Sequence, residues 1–372
     1  MNDHQRLVSH ILGNITAIVP HIHRVQFSGY LENYSFDYLL HYLHSRLPGI
    51  VRTKHDGRFK KYSNQGIVYV HGHKYRIDYI SKGGRPDVIL STSNAPLESL
   101  CELSSRLDCL QIMSAEYAVD FMCDSPEHVV QLHWLMRYYS YFPYRKKVSM
   151  FGGDFTGCEI DRDENSGSYY HSGGRGFRAG TNRTKYYERG RDGMDDKREG
   201  LPSWSMDVVD RLRLEFLITN ARDGKKLQNM KAKSIGGFIR SPKMVNVLKG
   251  KLDFCVFEGS NQLPSEGMPY RELDSSGGVD CFQQEFLAAK KKGINPNQYK
   301  KKSILMIPLM DRIERALIRH DEDWKKHTGP LLAAYAQSCM TDVRTGKLLF
   351  NESFWDDSVE PRMPVPFSVN RR

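Results

Sequence analysis

The spacing of apolar residues changes twice along the chain. Residues 1–60 are predicted to be mostly helical, because apolar side chains recur at helical spacing over 34–47 before Pro48 and Gly49. From residue 66 the period becomes two, which is typical of strands with one buried face. Beyond residue 240 the helical spacing returns. We therefore predict a helical N-terminal segment (1–60), a central domain (61–240), a helical C-terminal region (241–355) and a Pro-rich flexible tail (356–372).

The central region mixes both periods, which predicts an α+β fold. The predicted helices here are 97–107 and 126–139, the second with Ser125 as its N-cap. Strands are predicted at 66–70, 74–80, 87–91, 110–122, 178–187 and 208–219, and residues 152–176 are predicted to form a long loop or a loose hairpin. C-terminal helices are predicted at 242–249, 281–292, 303–320 and 330–339. The expected architecture is a central antiparallel β-sheet with packed helices, plus a helical C-terminal region.

Composition indicates a polyanionic partner in a reducing compartment. Lys and Arg outnumber Asp and Glu by 54 to 44 in 372 residues, which gives a net charge of +10. Basic clusters such as Lys146 and Lys147 stand beside aromatic residues, and cations with exposed rings suit the phosphates and bases of a single DNA strand. Seven scattered cysteines without a CxxC pair, no long apolar run and no secretory signal pattern favour the cytoplasm and no membrane partner.

An acidic strand is the first segment with candidate chemistry. Residues two apart on a strand share a face, so Glu116 and Asp120 point the same way. Buried carboxylates are costly unless a positive charge neutralises them, and Mg²⁺ commonly takes one or two carboxylates together with substrate phosphate oxygens. The two acids are therefore candidate metal ligands. A solvent-facing strand edge is the alternative.

A second strand carries both signs of charge. Arg211, Arg213 and Glu215 share one face, and Leu212 and Leu214 lie on the other. The apolar back predicts a central strand, so its polar face looks into a charged environment. A structural ion-pair ladder is the alternative for these side chains.

A third strand carries two consecutive tyrosines among cations. Alternation places Tyr187 on the face of Lys185 and Arg189, with Tyr186 on the opposite face. Neighbouring positive charge can activate a tyrosine hydroxyl and stabilise charge developing on a phosphate. Tyr187 is therefore the candidate nucleophile, and Tyr186 is the alternative if the strand register slips by one. Arg178 and Arg183, earlier in the same segment, are candidate DNA contacts.

The succession of these motifs resembles that of the rolling-circle replication initiators of plasmids, which have relatives in filamentous phages and integrative elements. The family pattern is Arg-Leu/Ile-Asp-x-Ala-x-Asp-Phe, then a Gly-Ser/Thr-Arg turn leading into Arg-Ile-Tyr-Asn/Asp-Lys, then Arg-Val/Phe-Glu. The similar segments here are Ser114-Ala-Glu116-Tyr-Ala-Val-Asp120-Phe121, Gly180-Thr-Asn-Arg183 with Lys185-Tyr-Tyr187-Glu-Arg189, and Arg213-Leu-Glu215. Tyr75-Arg-Ile-Asp78-Tyr is similar to a fourth family element. The resemblance covers about residues 66–220.

The resemblance implies a site-specific, metal-dependent DNA nickase and ligase. Its tyrosine attacks one strand at a hairpin origin, stays joined to the 5′-phosphate and leaves a 3′-hydroxyl that primes synthesis. By this resemblance Tyr187 is the nucleophile, with Lys185, Arg189 and Arg213 beside it, and Glu116, Asp120 and Glu215 bind Mg²⁺ or Mn²⁺. Arg178, Arg183, Arg211, Lys146 and Lys147 are the expected DNA-binding residues. Origin DNA is the expected partner, with a host helicase, a polymerase and a second subunit as further candidates.

This sequence departs from the family pattern at three positions. Glu116 stands where the family has Asp, the Arg two residues before it is replaced by Ser114, and Arg189 stands where the family has Lys. Glu still binds metal with a longer reach. Arginine excludes proton transfer at its position, because guanidinium does not deprotonate in proteins.

Other interpretations remain open at this point. His71-Gly72-His73 suggests the paired-histidine metal site of the wider nickase superfamily, but that motif has a hydrophobic residue between its histidines on a strand, and Gly72 favours a hairpin turn. A non-catalytic DNA-binding replication or transcription regulator on the same scaffold explains the charge but not the acids that face the tyrosine. A transposase or recombinase-like strand transferase would use the same chemistry.

Overall fold

The computed structural model describes most of the chain. The described residues are 3–29, 36–47, 49–54, 62, 64–79, 88–107, 109–143, 148–151, 169–172, 184–189, 211–240, 243–263 and 282–344. Within them, the side chains of 36–40, 148–151, 169–172, 185, 189, 221–223, 284 and 338–344 are left aside.

The fold is α+β and is built on a ten-stranded sheet in which every neighbouring pair is antiparallel. Its strands are β1 (Ile15–Gly29), β2 (Val51–Thr53), β3 (Asn64–Val70), β4 (His73–Tyr79), β5 (Val88–Ser93), β6 (Gln111–Cys123), β8 (Val148–Phe151), β9 (Tyr169–Ser172), β10 (Thr184–Arg189) and β11 (Arg211–Thr219). They lie in the order β2-β3-β4-β5-β1-β6-β11-β10-β9-β8. The predicted antiparallel sheet is confirmed, and the acidic, mixed-charge and tyrosine strands are neighbours in it.

Strand β1 contradicts the prediction that residues 1–60 are mostly helical. The strand runs for 15 residues through the middle of the sheet between β5 and β6. Its sequence, ITAIVPHIHRVQFSG, is rich in β-branched residues, which favour strands over helices. Pro20 cannot donate a backbone hydrogen bond, and it is tolerated because β1 pairs with β5 only from Arg24 onward.

Helices cover the apolar face of the sheet. They are α1 (Asp3–Gly13), α2 (Phe36–Arg46), α3 (Leu97–Arg106), α4 (Pro126–Tyr139), α5 (Asn220–Asn229), α6 (Ile235–Arg240), α7 (Met244–Leu248), α8 (Phe282–Lys291) and α9 (Ile307–Arg344). Helix α4 begins as predicted, with Ser125 Oγ accepting a hydrogen bond from the His128 amide at 3.2 Å.

The C-terminal region differs from its prediction in two ways. Instead of separate helices over 303–320 and 330–339, α9 is one helix of 38 residues that continues through Pro330. A small sheet, which spacing alone did not reveal, also lies there: β12 (Asp253–Phe257) pairs with β13 (Lys300–Lys302) and with β7 (Ser140–Tyr141). Among the described residues, no helix is long and apolar enough to cross a membrane.

The central strands separate an apolar face from a polar one. Tyr117, Phe121, Leu212, Leu214 and Phe216 are fully buried on the apolar face. Tyr117 packs on Phe216 and on Phe238 of α6, with ring centroids 5.5 and 6.1 Å apart. Burial of each large side chain contributes about 1.5–3 kcal/mol, so this face anchors the strands that carry the polar residues.

The His71–Gly72 turn confirms the predicted hairpin. Val70 pairs with His73, so only two residues join β3 to β4. Both have positive φ, 47° at His71 and 71° at Gly72, as a type I′ turn requires. Glycine adopts this conformation at no steric cost, which explains its place between the histidines.

Candidate functional site

Four adjacent strands, β1, β6, β11 and β10, place their polar side chains on one face of the sheet. Arg213 is the register partner of both Asp120 on β6 and Tyr187 on β10. Directly paired residues of antiparallel strands project to the same side, so the candidate acids, the arginine and the tyrosine converge. The three motifs of the sequence therefore form one surface.

Tyr187 lies against a carboxylate. Its side chain is 1% exposed, and its hydroxyl donates a hydrogen bond to Glu215 Oε1. This contact places a proton acceptor directly on the candidate nucleophile, a geometry expected of a general base. Lys185 and Arg189 extend the same strand as register partners of Glu215 and Arg211, but their side chains lie outside the described part.

Asp120 is held by arginines. Arg213 Nε and Nη2 donate to its two carboxylate oxygens at 2.6 and 2.7 Å, and Arg211 Nε lies 3.2 Å from Oδ2. Burial favours neutral Arg213, but the hydrogen bonds and charge of Asp120 outweigh this effect and raise the pKa of Arg213. The bidentate pair thus fixes a cation beside Tyr187.

A group with metal-ligating atoms lies next to this pair. One ligand atom each of His23, Glu116 and Glu215 lie within 4.8 Å of one another, and all three residues are buried. Two buried carboxylates are costly without a neutralising charge, and oxygen atoms with one imidazole suit a divalent cation such as Mg²⁺ or Mn²⁺. The donor set therefore fits a metal. Glu116 and Glu215 were predicted ligands, whereas Asp120, engaged by two arginines, lies outside this group.

The ring of His23 is contacted by Asn94, which follows β5, and by Arg213 and Glu215 of β11. Its Nδ1 lies 3.0 Å from Asn94 Oδ1 and 3.3 Å from Arg213 Nη1, and its Nε2 lies 3.3 Å from Glu215 Oε1. The tautomer protonated on Nδ1 donates to Asn94 and turns the Nε2 lone pair toward the carboxylates, whereas the tautomer protonated on Nε2 accepts from Arg213 at Nδ1 and donates to Glu215. Histidine ligands of metals are commonly held in the first of these ways, through their other nitrogen.

His21 stands two residues before His23 on the same strand. The two rings are 6.2 Å apart, and His21 Nδ1 lies 4.0 Å from Asp120 Oδ2. Burial lowers the pKa of His21 to about 4 despite the opposing charge of Asp120, so the imidazole is neutral near pH 7. Neutral imidazole is the form that binds metals.

Sequence reasoning missed these two histidines, although the signal was present. His21-Ile22-His23 has the hydrophobic residue between paired histidines that His71-Gly72-His73 lacks. The segment was assigned to a helical region, where residues two apart do not share a face. Because β1 is a strand, the two histidines lie on the same face.

Tyr186 lies on the opposite face of β10. It is fully buried, its hydroxyl is hydrogen-bonded to Ser140 Oγ at 3.1 Å, and its ring packs near His133 and Phe142. Burial raises the pKa of Tyr186, with the Ser140 hydrogen bond opposing the shift. The register does not slip, so the alternative assignment of the nucleophile to Tyr186 finds no support in the geometry.

Several predicted DNA contacts are not placed. Arg178, Arg183, Lys146 and Lys147 lie outside the described residues. Asp78, from the fourth motif, is buried on β4, where Arg76 donates to both its oxygens at 2.6 and 2.8 Å. Arg211 lies within the described residues, and its guanidinium contacts Asp120.

Comparisons with known proteins give one structural likeness. No protein-family model matches the sequence, and no curated protein matches it. A solved structure of a rolling circle replication initiator protein from Geobacillus stearothermophilus is similar over 66% of this chain and 90% of its own, with 11% identity and a TM-score of 0.41.

Proposed function

We propose that this protein initiates rolling-circle DNA replication by nicking and rejoining origin DNA through Tyr187. The observation that carries the proposal is the contact of the Tyr187 hydroxyl with Glu215, a carboxylate that also belongs to the His23, Glu116 and Glu215 group. A tyrosine, a base, a fixed arginine and a metal-ligating group on adjacent strands are the parts that phosphodiester transfer requires.

The chemical step follows from the contacts. Glu215 accepts the proton of Tyr187 as the phenolic oxygen attacks phosphorus. The bond to the 3′ oxygen breaks, the 3′ oxygen takes a proton from solvent, and the 5′-phosphate remains joined to Tyr187. Arg213, held by Asp120, stabilises the negative charge that develops on the phosphate. Reversal of these steps rejoins the strand.

His23, Glu116 and Glu215 would hold the divalent cation, with His21 beside them. When bound, the cation neutralises the phosphate oxygens and makes phosphorus easier to attack. Asn94 would keep the His23 ring in its ligating orientation.

The proposed biological role rests on the succession of motifs and on the net charge. The succession of motifs resembles that of plasmid and phage initiators, and the net charge of +10 suits a DNA partner. We propose origin DNA with a hairpin or single-stranded nick site as the substrate in a bacterial cytoplasm. A host helicase, a polymerase and a second subunit are proposed further partners.

The test is a nicking assay on supercoiled plasmid that carries the protein's own origin, with Mg²⁺ or Mn²⁺. We expect open-circle DNA and a covalent protein adduct, both abolished by EDTA and by Tyr187→Phe. Absence of open circles and adduct with every metal, or nicking by Tyr187→Phe at the parent rate, would contradict the proposal.

A non-catalytic DNA-binding regulator is the second candidate. It is favoured by the burial of Tyr187 and Glu215, which are each 1% exposed, as expected of a structural hydrogen-bonded pair. This candidate predicts origin binding without an adduct. The initiator proposal instead requires that DNA binding exposes Tyr187.

A further inference from the structure

A cavity of about 310 Å³ lies on the polar face of the sheet, on the other side of β1 from the tyrosine. Strands β4, β5 and β1 line it, chiefly through Arg24, Gln26, His73, Lys74, Arg76 and Thr92. The proposed reaction uses none of these side chains. Each residue that lines it is polar or charged, and the cavity is large enough for part of a nucleotide.

The register places the cavity on the same face as the site. Arg24 is the direct partner of Glu116, and Gln26 pairs with Ser91, which in turn pairs with Arg76. Five strand intervals separate β10 from β4, a distance of about 24 Å at ~4.8 Å per interval. A DNA strand that crosses the sheet from Tyr187 would therefore pass over the cavity several nucleotides from the cleaved bond.

The charges of the cavity favour an anion. Arg76 is neutralised by its bidentate contact with Asp78. Arg24 and Lys74 make no side-chain hydrogen bond or ion pair among the described residues and contribute two positive charges. Such cations are suited to phosphate oxygens.

The polar wall of the cavity is fixed before any ligand arrives. Thr92 is the register partner of the buried Val25, so its side chain lies on the opposite face, where its Oγ1 donates to the Lys74 carbonyl at 2.7 Å and lies 2.8 Å from His73 Nε2. These contacts fix the backbone of β4 and β5 beneath the cavity. Gln26 accepts a hydrogen bond from Ser114 Oγ at 2.9 Å. Binding therefore costs little ordering of the protein.

An exposed aromatic residue lies beside Lys74, one of the residues that line the cavity. Tyr69 on β3 is the register partner of Lys74, so both project from the same face, and Tyr69 is 59% exposed. Bases of a single strand stack on exposed aromatic rings without regard to sequence. A ring beside two cations is the combination that holds a base and its phosphate together.

We infer that this cavity is a subsite for a nucleotide several positions away from the cleaved bond, with Arg24 and Lys74 contacting its phosphate and Tyr69 stacking on its base. The inference deepens the proposed function and rests on it for the identity of the strand. The bound DNA strand would then cover β3, β4, β5 and β1 as well as the tyrosine strand.

The test measures binding of a short fluorescent oligothymidylate to the full-length protein at several salt concentrations. The double variant Arg24→Gln and Lys74→Gln should bind about tenfold more weakly, and the slope of log affinity against log salt should fall by about 1.4. Tyr69→Leu should weaken binding about fivefold or more, and Tyr69→Phe should restore it, because stacking requires the ring and not the hydroxyl.

A matched control removes the same charge elsewhere. Lys325 and Lys326 are exposed on α9, whose Trp324 donates to the Ile239 carbonyl of α6 on the helical side of the sheet. Lys325→Gln with Lys326→Gln should leave affinity near the parent value. Equal losses in both double variants would show a general charge effect and overturn the subsite.

Photocross-linking gives a second readout. Oligothymidylate that carries 5-iododeoxyuridine should cross-link to Tyr69, and a map without Tyr69 would contradict the stacking role. Failure of the parent to bind oligothymidylate would also overturn the inference, because backbone and stacking contacts do not depend on sequence. Failure of the proposed cleavage would look different. The covalent adduct on origin DNA would be absent, but oligothymidylate would still bind, and its affinity would still depend on Arg24 and Lys74.

Discussion

The two faces of β10 carry similar residues with different surroundings. On the polar face, Tyr187 contacts Glu215, which lies 3.3 Å from His23. On the apolar face, Glu188 lies 3.1 Å from the fully buried His133, and the Tyr186 ring packs near that histidine. Each face thus has a buried tyrosine, a histidine and a glutamate.

The difference between the faces lies in what surrounds each group. His133 and Glu188 form one pair among the aromatic and aliphatic side chains between β10 and α4. The polar face adds Glu116, Asp120 and Arg213, so it concentrates acids around a fixed cation. A single buried contact between a histidine and a glutamate is consistent with a structural role, whereas a surplus of acids with a histidine is what the proposed cation and phosphate site requires.

After loss of Tyr187 itself, removal of the proposed base should have the largest effect. Glu215→Gln takes away proton acceptance from Tyr187 and one metal-ligating group, so nicking should fall by about 10²- to 10⁴-fold. The matched change on the apolar face, Glu188→Gln, should leave the nicking rate per folded molecule near the parent value. Plasmid relaxation assays on both variants decide this, and an equal loss in both would remove the distinction between the faces.

Asp120→Asn should be the most damaging change to stability. It leaves the Arg213 guanidinium buried without its carboxylate, at a cost of about 3–5 kcal/mol in the free energy of unfolding. Denaturant unfolding measures this cost. A loss below about 1 kcal/mol would mean that the pair is solvated and does not fix Arg213.

Asn94→Gly should weaken metal binding without removing a ligand. Asn94 has a positive φ of 52°, which glycine tolerates, so the substitution removes the contact to His23 Nδ1 without backbone strain. Loss of such an outer contact lowers metal affinity by about 10- to 100-fold. Titration calorimetry with Mn²⁺ measures the change, and an unaltered affinity would contradict a role of Asn94 in orienting His23.

Tyr186→Phe should have the smallest effect. It removes one buried hydrogen bond to Ser140 and should cost about 1 kcal/mol of stability. Nicking and adduct formation should persist, because Tyr186 faces the helices. A Tyr186→Phe protein that folds but does not nick would contradict the assignment of the reactive tyrosine to the polar face.

Much of this comparison could be predicted from the sequence. Period-two alternation placed Tyr187 with the arginine strand and Tyr186 behind it, and the register confirms that separation. This prediction succeeded because successive side chains of one strand always point to opposite faces of the sheet. The antiparallel sheet and the His71–Gly72 hairpin were predicted for similar local reasons.

The contribution of β1 could not be predicted from the spacing that was used. Pro20 and a shift of register near His23 interrupt the strand. Its apolar residues therefore follow neither helical nor strand spacing regularly. His23 reaches the acids only because β1 lies beside β6, a long-range pairing that local pattern does not encode. The engagement of Asp120 by Arg213 rather than by the ligand group likewise depends on the register between strands.

The central claim is that Tyr187 forms the covalent bond to DNA. Trypsin cleaves after Lys185 and Arg189 and releases both tyrosines in one peptide, so the variants have to separate them. Origin DNA labelled with ³²P on the scissile phosphate is incubated with the parent, Tyr186→Phe and Tyr187→Phe, and the labelled protein is then quantified. We predict label on the parent and on Tyr186→Phe and none on Tyr187→Phe. Label on Tyr187→Phe at the parent level would contradict the account.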